Sequence, residues 1–165
     1  MGSARPGRPP AVGERAPAFR LSNLSGGETS LVETLPAGPV LLAFFKISCP
    51  VCQLTLPFLE RIHQESAAPR LAIYGISQDG PDWTRDFMKR FGITFPVLLD
   101  PEKGGYPASN AYGLTTVPTL FLVERDGTVS WFLEGFNKAE IGALARKAGV
   151  NPYRPGEYVP EWKAG

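Results

Sequence analysis

The run Leu41–Ile62, LLAFFKISCPVCQLTLPFLERI, decides the fold. It begins as a continuous apolar stretch and continues as an amphipathic one, and the chain's two cysteines, Cys49 and Cys52, sit at the seam. Pro39–Phe45 is short enough for a strand buried on both faces. Past the cysteines, Leu54, Phe58, Leu59 and Ile62 recur at helical spacing, with Glu60, Arg61, Gln64 and Glu65 between them. Pro57 lies inside this pattern and predicts a kink.

Outward from this unit, the alternation of elements continues. AFRLSNLSGGETSL reads as a hairpin around Gly26-Gly27, and RLAIYGIS, 70–77, as a second buried strand. PDWTRDFMKRFG is a helix stopped by Gly92, and FPVLLD is a third strand. PEKGGYPASNAYGL is a loop with one helical turn around Ser109–Tyr112. PTLFLVERDGTVSWFLEG is a hairpin turning at Asp126-Gly127, and NKAEIGALARKAG is a closing helix ending at Gly149. The order predicts an α/β fold: a mixed central sheet, helices on both faces and an N-terminal β-hairpin.

The 165 residues fit one domain with short extensions. Residues 1–11, rich in Pro, Gly and Arg, read as a flexible lead-in, 12–150 as the domain, and 151–165 as a Pro-rich tail. A net charge of +1 gives no global field towards nucleic acid or an anionic membrane. No apolar run approaches the roughly 20 residues of a membrane helix, and the N-terminus lacks the apolar core of a secretory signal. The expected compartment is the cytoplasm, where a catalytic cysteine pair is more plausible than a structural disulfide; a chain trimmed of a leader or anchor, periplasmic or membrane-anchored, reads the same way.

Two cysteines are too few for a disulfide scaffold, which turns attention to their chemistry. Residues three apart in the first turn of a helix share a face, so the sulfurs can meet in a disulfide. Free N–H groups at the helix start favour a thiolate on Cys49. Pro50 suits the first helical position. Cys52, one turn deeper, is expected to be sheltered and less acidic. An exposed nucleophile beside a sheltered resolving thiol is what dithiol exchange requires. Inert packing of two small apolar residues is the bland alternative. A zinc site needs two more ligands, and the only histidine, His63, lies too far along the same helix. His63 reads as an exposed helix residue, and Trp83 and Trp131 as core or half-core. Tyr153, Tyr158 and Trp162 of the tail read as packing back on the domain or contacting a partner, and packing is the expectation.

These residues resemble the thioredoxin superfamily, in particular the redoxin group of TlpA/ResA-type thiol-disulfide oxidoreductases and AhpC/TSA peroxiredoxins. The resemblance runs from about Val12 to Gly149. It rests on VGERAPAFRLSNLSGGETSL as the N-terminal hairpin, FFKISCPVC at the active-site position and Pro57 as the helix proline. YGLTTVPTLFLVERDGTV is similar to the segment whose cis-proline faces the cysteines, and Gly135 stands at the family's glycine. The resemblance implies a cis Val117-Pro118 bond, with Val117 offering backbone hydrogen bonds to a bound peptide. Without it, Pro118 is simply a proline opening a strand. The chain departs from thioredoxin at Ala43, where the family's buried Asp stands, at Ser48 in place of Trp, and in its Pro50-Val51 dipeptide. Proline directly after the first cysteine is similar to glutaredoxin and DsbA-type motifs. It implies a pair more oxidising than thioredoxin's roughly −270 mV.

Two rival activities are testable by motif. A peroxiredoxin carries PxxxTxxC or its Ser variant. Counting from Cys52 places Phe45 and Cys49 at its Pro and Thr positions, and counting from Cys49 places Leu42 and Lys46 there, so both frames fail. A Sco-like metallochaperone needs CxxxC and a distant His. A redox-inactive binding module would have no use for both cysteines. The reading is a thiol-disulfide oxidoreductase, expected monomeric, with Cys49 attacking, Cys52 resolving, and Pro50, Val117 and Pro118 contacting substrate. It needs no cofactor or metal, and its partners are protein thiols or disulfides and an upstream reductant or oxidant.

Overall fold

Gly26 and Gly27, both at positive φ, turn the chain between Arg20–Asn23 (β1) and Glu28–Ser30 (β2), which pair antiparallel. This is a computed structural model, and it describes residues 7–67 and 71–165. Ser30 then caps a one-turn helix, Leu31–Thr34 (α1), by accepting from the Glu33 amide. Val40–Phe45 (β3) follows, and every one of its residues is buried, as its unbroken apolar run predicts. Next come Pro50–Glu65 (α2), Ala72–Ser77 (β4), Pro81–Phe91 (α3), Val97–Leu99 (β5) and Pro107–Ala111 (α4). Thr119–Val123 (β6), Val129–Glu134 (β7), Phe136–Asn137 (β8), Lys138–Lys147 (α5) and Trp162–Lys163 (β9) complete the described chain.

Seven strands form one sheet in the order β2-β1-β5-β4-β3-β6-β7. β3 lies parallel to β4 and antiparallel to β6, so the sheet is mixed. Alternate residues of β3 feed two cores. Leu41, Ala43 and Phe45 join Leu56, Leu59 and Ile62 of α2, Phe87 of α3 and Ile141 and Leu144 of α5. Val40, Leu42 and Phe44 join Leu31 of α1, Ala108 of α4 and Tyr112 on the other face. The expected α/β architecture, with helices on both faces and an N-terminal hairpin, is the one observed.

Several expectations need correction. Trp83 is 68% exposed rather than core or half-core. The buried stripe of α3 is Thr84 and Phe87, flanked by Met88 and Phe91, and Trp83 lies one 100° step behind Thr84, outside it. Trp131 is half-buried, as expected, and its indole donates to Glu140 at 3.2 Å. His63 is half-buried rather than exposed, with its ring edge-on to Phe95 at 6.1 Å, because α2 lies across the sheet there. The helical turn near Ser109 starts two residues earlier, at Pro107, because the buried Asp100 carboxylate accepts from the amides of Ala108 and Ser109.

The two extensions are not loose where described. Pro10 is buried, and Arg8 makes a two-pronged ion pair with Glu14 at 2.7 and 3.0 Å; residues 1–6 lie outside the described residues. In the tail, Tyr153 packs edge-on against Phe58 and β9 pairs with β8, whereas Tyr158 and Trp162 stay 87% and 61% exposed. Arg70, the expected first residue of the second strand, also lies outside the described residues.

Candidate active site

The parallel strands β3 and β4 end side by side, and their carboxyl ends form the rim where α/β sheets place their sites. The chain leaves β3 through Lys46, Ile47 and Ser48 and enters α2 at Cys49, its N-cap. Pro50 takes the first helical position, where no amide is needed, and is exposed. Pro57 falls inside the helix and leaves the Gln53 carbonyl without its i→i+4 donor.

Cys49 is half-buried and Cys52 fully buried, and both are free thiols. The Cys52 amide donates to Cys49 Sγ at 3.2 Å, and the Cys49 thiol points at Val117 O, 3.4 Å away. Burial pushes the Cys52 thiol well above the ordinary range. Its hydrogen bond to Cys49 adds to the rise, while an amide hydrogen bond from Lys46 opposes it. The Val117-Pro118 bond is cis, and it faces the cysteines across the cleft. Pro118 is buried, and its carbonyl accepts from Gly135 N at 2.8 Å. Of the sequence-predicted site residues, Cys49 thus contacts both Cys52 and Val117, Pro118 is buried next to Val117 through the cis bond, and Pro50 is exposed at the start of α2.

The structure adds residues that the sequence reading missed. Gln78, Leu114, Thr115, Thr116 and Gly165 join Cys49, Val117 and Lys46, the lysine whose charge the sequence already placed near the thiolate, around a cleft of about 360 Å³. Gln78 follows β4 directly and is held there, its amide donating to Phe45 O and its side chain to Ser109 Oγ. Asp79 accepts from Ile47 N at 2.8 Å, and Gln53 donates to Ile47 O at 2.9 Å, so both backbone polar groups of the residue before Ser48 are fixed by side chains. The signal available for Gln78 and Asp79 was their place just past a buried parallel strand.

Deeper on α2, Glu60 is buried and accepts from Thr94 N, Phe95 N, Thr94 Oγ1 and Gln64 Nε2. Burial pushes its carboxyl up, but these hydrogen bonds together outweigh burial and hold it below the usual range. It anchors α2 to the segment before β5 and stands away from the sulfurs.

A half-exposed sulfur flanked by an amide donor, with a buried thiol in contact, can attack a disulfide and then be released by its neighbour. Known proteins agree with that chemistry. The AhpC/TSA family profile matches residues 12–132. Thiol-disulfide oxidoreductase ResA of Geobacillus thermodenitrificans is 32% identical over 126 residues, covering 76% of this chain and 70% of ResA. ResA of Halalkalibacterium halodurans is 30% identical, covering 72% of this chain and 65% of that protein. Among solved structures, the thioredoxin domain of a thiol-disulfide oxidoreductase from Bacteroides vulgatus superposes with a TM-score of 0.73 at 20% identity, covering 83% of this chain and 96% of that one. Peroxidoxin BcpB from Mycobacterium tuberculosis superposes with a TM-score of 0.67 at 24% identity, covering 84% and 94%. At such identities the two structures speak for the fold alone. The chain belongs to the AhpC/TSA family of the thioredoxin superfamily and is a ResA-like thiol-disulfide oxidoreductase.

Proposed function

We propose that the protein exchanges disulfides with protein thiols through the Cys49–Cys52 pair. The observation that carries this reading is the asymmetry of the pair: Cys49 faces the cleft under Val117 O, while Cys52 is fully buried and touches it from behind. As a thiolate, Cys49 attacks one sulfur of a substrate disulfide. A Cys49–substrate disulfide forms, the substrate S–S bond breaks, and the leaving sulfur takes a proton. Cys52 then gives up its proton and attacks Cys49 Sγ. The second substrate thiolate leaves, and a Cys49–Cys52 disulfide remains. The substrate gains two electrons and two protons from the pair, and in the reverse direction a reduced protein is oxidised. Val117, half-buried beside Cys49, offers backbone to an extended substrate, with Pro118 holding that edge and Pro50 on the opposite rim.

Trapping tests this reading. Cys49→Ser abolishes exchange with insulin, whereas Cys52→Ser accumulates a mixed disulfide on Cys49, read as the mass of the adduct. Full activity in Cys49→Ser contradicts it.

The AhpC/TSA match also favours a second reading, peroxide reduction. Against it stand Phe45 and Cys49, or Leu42 and Lys46, at the positions where a peroxide pocket needs Pro and Thr.

A further inference from the structure

The C-terminal segment returns to the cleft that holds Cys49. After α5 it runs back beside α2, burying Pro152, Val159 and Pro160. Tyr153 packs against Phe58 with ring centroids 5.4 Å apart and donates its hydroxyl to Lys138 O. Arg61 of α2 grips the segment: its guanidinium donates to both Glu157 carboxylate oxygens at 2.6 and 2.8 Å, and to Pro152 O at 2.8 Å. Lys138 N donates to Glu161 O at 3.0 Å, and β9 then pairs with β8.

The last residues lie against the backbone of the site itself. A Cβ on Gly135, which has positive φ, would stand 2.5 Å from Lys163 O. A Cβ on Gly165 would stand 2.6 Å from both Val117 O and Thr116 Oγ1. Only glycines allow this approach, and it puts the segment on the edge that a substrate backbone would use. Gly165 also lines the cleft shared by Cys49, Lys46 and Gln78. The open remainder, about 360 Å³, has the size of a small-molecule site rather than a peptide groove.

We propose that Trp162–Gly165 is a tethered occupant of the protein-substrate groove, which a protein disulfide must displace to reach Cys49, whereas a small disulfide enters the open part of the cleft. The segment thereby sets substrate specificity. The inference rests on the reading of Cys49 as nucleophile and Val117 as docking edge. A tethered segment competes at its own effective concentration, and substrate affinity falls by the fraction of molecules whose groove is open.

The experiment compares the full chain with a variant lacking Trp162–Gly165, both reduced, against insulin and against 2-hydroxyethyl disulfide. Deletion raises the ratio of the insulin rate constant to that of the small disulfide about tenfold. Glu157→Ala, which loosens the anchor in the full-length chain, shifts the same ratio in the same direction. It decides the matter alone if the deletion variant fails to fold by circular dichroism. A ratio that is unchanged or lower in the folded variant overturns the proposal. No exchange with either disulfide by the intact chain overturns the underlying reading as well, so the two failures are distinguishable.

Discussion

Cys49 and Cys52 are joined by a hydrogen bond from the amide of the second to the sulfur of the first, at 3.2 Å, and yet only the first reaches solvent. On the proposed reading, one helical turn of depth gives two chemically identical side chains their division of labour. In the reduced native protein at about pH 8, iodoacetamide labels Cys49 at least about a hundredfold faster than Cys52, which reacts fully only after unfolding. Peptide mass mapping reads this, and equal labelling would contradict it.

Asp79 bears on the resolving step. Burial is the first cause of the raised Cys52 thiol and contact with Cys49 the second, but the negative charge of Asp79 adds to both. Asp79→Asn keeps an acceptor for Ile47 N and removes that charge, so the mixed disulfide should resolve faster, with a shorter lifetime by rapid quench. A longer lifetime would instead make Asp79 the acceptor of the Cys52 proton. Asp79→Ala also frees Ile47 N and should cost about 1–2 kcal/mol in urea unfolding.

Glu60 is predicted to be structural. Glu60→Ala strips the acceptor from two backbone amides, that of Phe95 being buried, and should destabilise the protein by about 2–4 kcal/mol. The Cys49 exchange rate of the folded fraction should be unchanged. A selective loss of exchange at full stability would place Glu60 in the chemistry.

Acid should release the C-terminal segment. The hydrogen bond from Arg61 holds the Glu157 carboxyl down at about 2. A depressed carboxyl stabilises the folded arrangement above its unfolded value of about 4.5, and that contribution fades as pH falls from there towards about 2. Amide exchange of residues 157–163, taken relative to the intrinsic rate at each pH, should therefore quicken across this window in the native protein. In Glu157→Gln it should be fast already at neutral pH and respond less to acid.

Much of this was legible in the residues. Pro39–Phe45 reads as a doubly buried strand because no polar residue interrupts it, and Val40–Phe45 is the strand found; the helical period begins right after the cysteines, which places them at the strand–helix seam. What was not legible depends on contacts distant in sequence. Asp79 reaches Ile47 across 32 residues and Arg61 reaches Glu157 across 96, and no local pattern announces either. Two-residue strands such as β8 and β9 carry no periodicity of their own. Trp83 misled because a large aromatic at the edge of an amphipathic stripe has the composition of a core residue without its position.

The most direct test of the central claim sets two oxidants against the fully reduced protein in parallel, hydrogen peroxide and the disulfides of insulin, following Cys49 by quenched alkylation. Dithiol exchange predicts rapid oxidation by insulin through a mixed disulfide, with peroxide no faster than for an ordinary exposed thiolate. Rapid formation of a Cys49 sulfenic acid by peroxide, with sluggish exchange, would contradict it and make the protein a peroxidase.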